Sequence, residues 1–356
     1  MARVIQGPER GEITPAKRDT ADARTGARIL PDVRPSSDKR TIPGAALRVR
    51  FWGVRGSHPV AHTLGSRIGV NTTCLEARFG RHVVILDAGS GIVALGEDLA
   101  RELASQRGDD RPTVSLLFTH AHHDHLCGLP FFAPLYRAGA DLHFFGPDQA
   151  GMTFENIIAG YMRAPYFPVD FRDLPSRRRL TSVGDGVRLV WLPEATGPAL
   201  ATTETPTPPG ALTVDVLYSI RHPRDGTLMY RISGGGRSLV FATDVEVGVG
   251  GAAAEQRFLR FARSATVLVH DAQYSEDDYS GPDSHRGYGH STPAMAARMA
   301  RAAHVEQLVL FHHDPGYADA DVRALERDAR RLFPNVVTAR EGLEISLDGE
   351  SASHVV

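Results

Sequence analysis

The stretch Thr119-His-Ala-His-His-Asp-His125 holds four imidazoles and one carboxylate within seven residues. It follows directly after the mainly apolar run Val114-Ser-Leu-Leu-Phe118, which is typical of a buried strand. A hydrophobic core disfavours such a density of titratable groups, because a buried polar group costs free energy unless it finds a partner. Imidazole and carboxylate are ligands that Zn²⁺, Mn²⁺ and iron bind well. The stretch therefore predicts a metal site with room for two neighbouring ions, rather than a solvated histidine-rich loop.

The composition limits the class of protein. The chain has 356 residues, of which 42% are hydrophobic and 23% charged, as in soluble globular proteins. Its formal net charge of −2 argues against a dominant basic surface, so nucleic acid is not an expected partner. Two cysteines, Cys74 and Cys127, make no disulfide framework, which suits a reducing compartment. Neither a signal peptide nor a membrane-spanning run is evident, so we expect a cytoplasmic protein without a membrane partner.

The chain is predicted to form one catalytic domain with a tail. Residues 1–45 are rich in Arg, Asp, Pro, Gly and Thr without periodicity, which indicates a disordered or loosely packed N-terminal extension. Residues 46–350 alternate strand-like runs with a few helices, such as 92–106 and 293–304, which favours two sheets covered by helices on their outer faces. The segment 194–210, rich in proline and threonine, is interpreted as an irregular surface insertion.

Metal-binding residue types also recur at the ends of other predicted strands. A single Asp or His at such a position is usually a turn residue, but several at once point to side chains that a rigid sheet aims at one site. These residues are Asp87 after 83–86, His222 after 214–220, Asp244 after 239–243, and His312 with His313 after 308–311.

The motifs resemble those of the metallo-β-lactamase superfamily over roughly Leu47 to Leu347. The central motif of that family, His-x-His-x-Asp-His, stands here as His120-Ala-His122-His-Asp124-His125. The resemblance implies an α/β fold, a four-layer αββα sandwich with two divalent metal ions along one sheet edge. By the same resemblance, one ion would be bound by His120, His122 and His222, the second by Asp124, His125 and a later histidine, and Asp244 would bridge them.

The resemblance also assigns the two aspartates at strand ends. Asp87 matches an aspartate that supports the histidine loop and orients ligands without binding metal. True β-lactamases generally carry a cysteine or another residue where this chain has Asp244. A carboxylate at that position is similar to the phosphodiesterase, glyoxalase-II and lactonase branches of the superfamily.

Two further stretches resemble tRNase Z. Val269-His270-Asp271-Ala-Gln-Tyr274 resembles its His-Glu-Ala-Thr segment, with Asp for Glu and Gln for Thr, and Gly289-His290-Ser-Thr292 resembles its His-Ser-Thr loop. The resemblance implies that His290, supported by Asp271, protonates the leaving oxygen, and that His270 helps to orient the ligands. The long arm with which tRNase Z grips tRNA has no obvious counterpart. The expected catalytic residues are thus Asp124, Asp271 and His290.

Two assignments stay open from the residues alone. Consecutive side chains leaving a strand point to opposite faces, so only one of His312 and His313 can be the final ligand, and alternation does not choose between them. The resemblance to the Leu-Thr-His-Phe-Ser segment of tRNase Z places His312 on the metal and His313 beside the site. Arg55, in a glycine-flanked loop, is a candidate for binding the substrate phosphate, with a salt bridge to a neighbouring loop as the alternative.

The pattern as a whole also resembles a bacterial group described as cyclic-nucleotide phosphodiesterase-like, through stretches such as Asn71-Thr-Thr-Cys74 and Phe311-His-His-Asp-Pro315. Two divalent ions about 3.5–4 Å apart can activate water and stabilise the attacking and leaving oxygens. We therefore predict a dinuclear hydrolase, with Zn²⁺ ahead of Mn²⁺ or iron, that acts on a small or cyclic nucleotide phosphodiester. The alternatives are a hydrolase of lactones or thioesters, a metal-containing sensory module with little turnover, and RNA processing. A homodimer is left open.

Overall fold

The protein is built on two β-sheets. The computed structural model describes residues 46–61, 66–106, 108, 111–220, 222–223 and 225–347. In these segments the first sheet has the order β15-β1-β2-β3-β4-β5-β6 and the second the order β14-β13-β12-β11-β10-β9-β7-β8. The strands of the first sheet are β1 (Arg48–Gly53), β2 (Cys74–Phe79), β3 (His82–Leu86), β4 (Thr113–Leu117), β5 (Asp141–Gly146), β6 (Arg177–Ser182) and β15 (Glu344–Ser346). Those of the second are β7 (Val187–Trp191), β8 (Ala199–Thr202), β9 (Leu212–Ser219), β10 (Thr227–Gly234), β11 (Arg237–Ala242), β12 (Val267–Asp271), β13 (Gln307–Phe311) and β14 (Val336–Thr338).

Helices cover the outer face of each sheet. The helices are α1 (Ile92–Ser105), α2 (His123–Leu126), α3 (Phe154–Tyr161), α4 (Gly251–Ala262), α5 (Glu276–Ser280), α6 (Pro293–Ala302) and α7 (Asp319–Arg330). Apolar residues of α1 and α3 pack on the first sheet, and those of α4, α6 and α7 pack on the second. Among the described helices, none combines the length and apolarity that a bilayer span requires.

Strand alternation explains the layers. In β3, Val83 and Ile85 belong to the core beneath α1, whereas Val84 and Leu86 belong to the core between the two sheets. Successive side chains of a strand point to opposite faces, so a strand buried on both sides needs an unbroken apolar run. The order helix, sheet, sheet, helix confirms the predicted αββα sandwich.

The parallel strands determine where functional side chains meet. Strands β3 to β6 run parallel in the first sheet, and β11 to β14 run parallel in the second. Parallel strands end at the same edge of a sheet, and ligands bind outside their carboxyl ends. The residues that follow β3, β4, β11 and β13 include Asp87, Thr119, Asp244 and His312. The predicted site residues therefore lie together at one edge of the sandwich.

Most elements predicted from apolar runs are present, and one interpretation was wrong in part. The predicted helix at 293–304 begins at Pro293, and Thr292 caps it by accepting a hydrogen bond from the Met295 amide. The segment 194–210, expected to be irregular, contains β8, which pairs with β7 at the edge of the second sheet. The predicted extension 1–45 and the last residues of the predicted domain, 348–350, lie outside the described residues.

Candidate metal centre

The candidate centre is built from loops whose backbone is held in an uncommon conformation. Asp87, Asp244 and His312 follow β3, β11 and β13, and their φ angles are 61°, 55° and 63°. Left-handed backbone at a non-glycine residue costs free energy and persists where the surroundings enforce it, frequently at functional sites. In this conformation the chain turns sharply at the strand end and directs each side chain towards the same edge.

Asp244 lies at the middle of the cluster and faces a different pair of histidines with each oxygen. Its Oδ1 is 3.8 Å from His120 Nε2 and 3.8 Å from His222 Nε2. Its Oδ2 is 3.2 Å from His125 Nε2 and 3.4 Å from His312 Nε2. A carboxylate that presents one oxygen to each of two ligand groups has the geometry to bridge two cations.

The remaining candidate ligands complete these two groups. In the first group, His122 Nδ1 lies 2.9 Å from His222 Nε2, and His120 is close to both. In the second group, Asp124 Oδ2 lies 3.3 Å from the Nε2 atoms of both His125 and His312. Within each group, one ligand atom from each residue lies within 4.8 Å of the others, a spacing that could hold a metal ion. All seven predicted ligands therefore converge on one place.

The hydrogen bonds of the imidazoles leave the convergent nitrogens available. The Nε2 atoms of His120 and His125 are buried and make no hydrogen bond of good geometry with the described residues. On the opposite side of each ring, Nδ1 is engaged: His120 with Thr119 Oγ1 at 3.0 Å, and His125 with Asp87 Oδ2 at 2.8 Å. This arrangement fixes the tautomer of a metal-binding imidazole. Buried nitrogens that lie 3.2–3.8 Å from the Asp244 carboxylate and make no hydrogen bond of good geometry fit a divalent cation.

The charge of the cluster favours the same conclusion. Burial lowers the pKa of His120 well below its usual value and that of His222 to about 4, so both imidazoles are neutral, as metal ligands must be. Burial opposes the charged form of Asp244, but His312 and His125 outweigh it and hold the carboxyl pKa well below its usual range. Burial also opposes the imidazolium of His312, but Asp244 and Asp124 raise its pKa to about 9. The buried carboxylates thus demand positive charge, which a metal ion supplies.

Asp87 supports the histidine loop, as its position in the sequence suggests. Its side chain is buried, and it accepts hydrogen bonds from the Thr119 amide at 2.7 Å, the Thr119 hydroxyl at 2.9 Å and His125 Nδ1 at 2.8 Å. Burial raises the pKa of the Asp87 carboxyl, and His125 and Thr119 oppose that rise. The side chain thus joins the turn after β3 to the start of the motif and orients His125.

His290 and Asp271 form a hydrogen-bonded pair above the ligands. His290 Nδ1 lies 2.7 Å from Asp271 Oδ2, and the His290 ring stacks on that of His312 with centroids 5.0 Å apart. Asp271 also accepts hydrogen bonds from the amides of Asp244 at 3.1 Å and Ser291 at 2.9 Å, which link it to the strand and loop on either side. The two residues are close enough to the candidate ligands to act on a substrate bound there.

The structure places His270 away from the ligands. Its ring packs edge-on against Phe258 of α4, with centroids 5.5 Å apart, and its Nδ1 meets the Asp271 carbonyl at 2.7 Å. Residues of β12 alternate, so His270 points to the helix side whereas Val269 points between the sheets. The expectation that His270 orients the ligands is therefore not supported, because strand alternation turns it outward.

Arg55 also differs from its expected role. Its side chain is only 1% exposed, and its guanidinium donates hydrogen bonds to the carbonyls of Gly69, Asp314 and Tyr317 at 2.9–3.0 Å. Burial lowers the pKa of Arg55, and neighbouring acids including Asp319 oppose that effect. The assignment of Arg55 to substrate phosphate is corrected accordingly: the arginine binds the backbone of Gly69 and of the turn 314–317 and so joins these two segments.

Sequence reasoning missed the residues that hold the ligand loops. Glu246 is buried and accepts hydrogen bonds from Tyr279 Oη at 2.9 Å and from the amides of Gly287 at 2.9 Å and Gly289 at 3.0 Å, so it holds the loop that carries His290. Gln273 Oε1 lies 3.0 Å from His312 Nδ1. The only signal for Glu246 is its spacing of two from Asp244, and that spacing is too common to be diagnostic.

The positions of His312 and His313 lead to a direct prediction. His312 faces the centre, whereas His313 Nε2 donates to the Ala339 carbonyl at 3.1 Å, and burial together with Arg55 lowers the pKa of His313 to about 3. We expect His312→Ala to lose one bound ion and at least about a hundredfold in kcat, and His313→Ala to keep both ions and stay within about tenfold. Elemental analysis with steady-state kinetics measures both effects. The reverse pattern would show that the ligand register is shifted by one residue.

Comparison with known proteins identifies the family to which this site belongs. The profile of the family described as "Beta-lactamase superfamily domain" matches residues 82–313, which include the central motif and the last candidate ligand. The chain belongs to the beta-lactamase superfamily. This match confirms the family predicted from the motifs, and the donor clusters support divalent metal binding within it.

Relatives within the superfamily are named ribonuclease Z. The protein of that name from Bacillus subtilis (strain 168) is 25% identical over 280 residues, covering 71% of this chain and 87% of the relative. The one from Thermoplasma acidophilum is 26% identical over 325 residues, covering 84% and 95%. These relatives agree with the predicted tRNase Z-like branch.

Solved structures share the fold at low identity. The metallo-beta-lactamase fold protein YhfI from Bacillus subtilis superposes with a TM-score of 0.54 at 18% identity, covering 84% of this chain and 98% of that one. Unliganded yeast PDE1 superposes with a TM-score of 0.55 at 11% identity, covering 85% and 100%. At such identities the likeness shows the superfamily fold alone.

Proposed function

We propose that this member of the beta-lactamase superfamily binds two divalent cations, with zinc the expected metal, and hydrolyses a small or cyclic nucleotide phosphodiester. The observation that carries the proposal is Asp244, which presents one oxygen to His120 and His222 and the other to His125 and His312. The coarser statement, a metal-dependent hydrolase of phosphodiesters, agrees with relatives named ribonuclease Z along most of the chain. The finer identity of the substrate rests on the resemblance of the sequence and on the site.

The two groups of candidate ligands divide between the cations. His120, His122 and His222 would hold one, Asp124, His125 and His312 the other, with Asp244 shared. When bound, such a pair lowers the pKa of water and neutralises the oxygens of a phosphoryl group. The donor set is neutral imidazole with carboxylate, which suits zinc and also manganese or iron.

His290 and Asp271 would serve the leaving group. Attack of water on phosphorus forms one P–O bond and breaks the ester P–O bond, so the departing alkoxide needs a proton. His290 Nε2 would give that proton, because Nδ1 is held by Asp271 Oδ2 at 2.7 Å. The carboxylate stabilises the imidazolium before transfer and fixes the orientation of the ring afterwards.

A substrate panel tests the proposal. Chain stripped with a chelator and reloaded with Zn²⁺ or Mn²⁺ is expected to hydrolyse bis-p-nitrophenyl phosphate and cyclic nucleotides, whereas the stripped chain is expected to be inactive. The assay should include an acyl-homoserine lactone and a thioester. Cleavage of those carbonyl esters without any phosphodiester turnover would replace the proposal by its carbonyl-ester alternative. Tight nucleotide binding without hydrolysis under either metal would favour a sensory module.

A second candidate is RNA processing, which the names of the relatives favour. Both relatives described above are ribonuclease Z, so the expectation that nucleic acid is an unlikely partner is not supported. The net charge of −2 remains the argument against an extended RNA surface. Incubation of the zinc-loaded chain with a tRNA precursor tests this candidate. Removal of the 3′ trailer would make RNA processing the preferred function.

A homodimer and a cytoplasmic location stay predictions.

A further inference from the structure

A cavity of about 1160 Å³ opens beside the candidate centre and takes no part in the mechanism proposed above. We call it the aromatic chamber; its walls include His122, Phe131, Tyr161, Arg163, Tyr166 and Phe167. The chamber is adjacent to the centre, because His122 belongs both to the chamber wall and to the first ligand group. A substrate bound at the centre could therefore extend into the chamber.

Large apolar side chains are left uncovered in this chamber. Seven large hydrophobic side chains are exposed in the described part of the chain, and three of them, Phe131, Met152 and Tyr166, line this one cavity. Tyr166 is 79% exposed and Phe131 is 59% exposed. Clustered exposed apolar surface is disfavoured in water and marks a binding site. The chamber is therefore suited to an apolar or aromatic ligand.

The walls of the chamber are fixed by hydrogen bonds and ring contacts. Phe131 and Phe167 meet edge to face with centroids 5.9 Å apart, and Tyr161 Oη lies 3.0 Å from His123 Nδ1. Gln149 accepts a hydrogen bond from the Ala121 amide at 2.8 Å and donates one to the Gly226 carbonyl at 3.2 Å, which joins the metal-binding motif to the turn before β10. Phe131 and Tyr161 are therefore held in place before a ligand arrives, which lowers the entropic cost of binding.

The polar groups of the chamber distinguish a base from an alkyl chain. Arg163 and Arg172 both line the chamber and are exposed, and Arg163 forms no ion pair with any described residue. Asn156 adds an amide that can donate and accept. An alkyl chain would gain nothing from these groups, whereas a nucleobase has a flat face for stacking and polar edges for the arginine and amide groups.

We infer that the aromatic chamber binds the nucleobase of the substrate, with Tyr166 and Phe131 as stacking surfaces, while the phosphate lies at the centre. This inference rests on the proposed function and adds to it that the enzyme selects a phosphodiester by its base. Selection would occur in binding and not in the chemical step, because neither His290 nor Asp271 lines the chamber.

Adenosine 5′-monophosphate and ribose 5-phosphate form a matched pair of probes, since both carry the phosphate and sugar and only the first has a base. Calorimetry on the zinc-loaded full chain is expected to give a Kd at least about tenfold lower for adenosine 5′-monophosphate. Tyr166→Ala and Phe131→Ala should each remove most of that preference and leave the Kd of ribose 5-phosphate unchanged. Both side chains are exposed, so neither change removes core packing. Leu192→Ala, an exposed apolar residue outside the chamber, is the control and should change neither Kd.

Equal Kd values for the two probes in the wild-type chain, undetectable binding of both, or an unchanged preference in both variants would each overturn the inference. These outcomes are separate from failure of the proposed function, because binding is measured without turnover. A chain that prefers the base but hydrolyses no phosphodiester would support the chamber as a base-binding site and refute the proposed function. A chain that hydrolyses phosphodiesters without preferring the base would support the proposed function and refute the base-binding site.

Discussion

Replacement of Asp244 by Asn is expected to lower kcat by about a thousandfold or more and to reduce the metal content below two ions per chain. The physical reason is the position of this carboxylate, whose two oxygens face separate histidine pairs at 3.2–3.8 Å. An amide presents a single weaker acceptor and carries no charge, so it cannot serve two cations at once. Hydrolysis of bis-p-nitrophenyl phosphate and elemental analysis measure the two effects.

Asp185→Asn is the matched control for this substitution. Asp185 is a partly exposed carboxylate paired with Arg257 and is not among the candidate ligands, so its variant should keep both the rate and the metal content. Thermal unfolding of both variants separates loss of ligands from loss of the fold. An Asp244→Asn chain that kept two ions and nearly full activity would contradict a bridging role.

Replacement of His290 by Ala is expected to lower kcat on a cyclic nucleotide by about 10²- to 10⁴-fold while leaving the metal content unchanged. The leaving group in that substrate is an alkoxide, which needs the proton that His290 would give. With bis-p-nitrophenyl phosphate the leaving group departs without a proton, so the loss should stay within about tenfold. The dependence on the leaving group is the signature of a general acid, which a merely structural histidine does not produce.

Two further variants sharpen this result. Asp271→Asn should show the same dependence on the leaving group in a weaker form, because Asp271 acts through the 2.7 Å contact with His290 Nδ1. His304→Asn changes an exposed histidine beyond the far end of α6, where Asn tolerates the left-handed φ of 53°, and should leave both rates unchanged. Equal losses on both substrates for His290→Ala would indicate that the histidine holds a cation and does not transfer a proton.

The fold was predictable where hydrophobic pattern and environment agree. Strand β3, buried on both sides, has an unbroken apolar run from Val83 to Leu86, as such burial requires. Strand β6, Arg177–Ser182, was not predicted, because it lies at the edge of the first sheet and begins with three arginines. An edge strand needs no apolar alternation and gains protection against aggregation from charge. Strand β6 forms because it pairs with β5, and this long-range pairing leaves no pattern in the sequence of β6 itself.

The site was predictable in its donor types and only partly in its geometry. Nearly every side chain that converges on Asp244 was predicted from the motif 119–125 and from the residues at strand ends, because metal ligands must be particular residue types. The directions of individual side chains were harder to predict. The Arg55 side chain points towards three backbone carbonyls, and the His270 side chain points towards α4. Both directions are determined by tertiary packing, which cannot be read from the sequence. Glu246 acts through backbone amides of a distant loop, which leave no pattern in the sequence.

The central claim is that Asp244 and six further residues hold two cations, and a metal count tests it most directly. The full chain, stripped, titrated with Zn²⁺ to saturation and dialysed to remove the excess, should contain two ions per chain by elemental analysis, with phosphodiesterase activity rising as the second ion binds. His312→Ala and His122→Ala prepared in parallel should each contain about one. A wild-type chain that saturates at one ion or none, with no gain in activity on reconstitution, would contradict the two-cation centre.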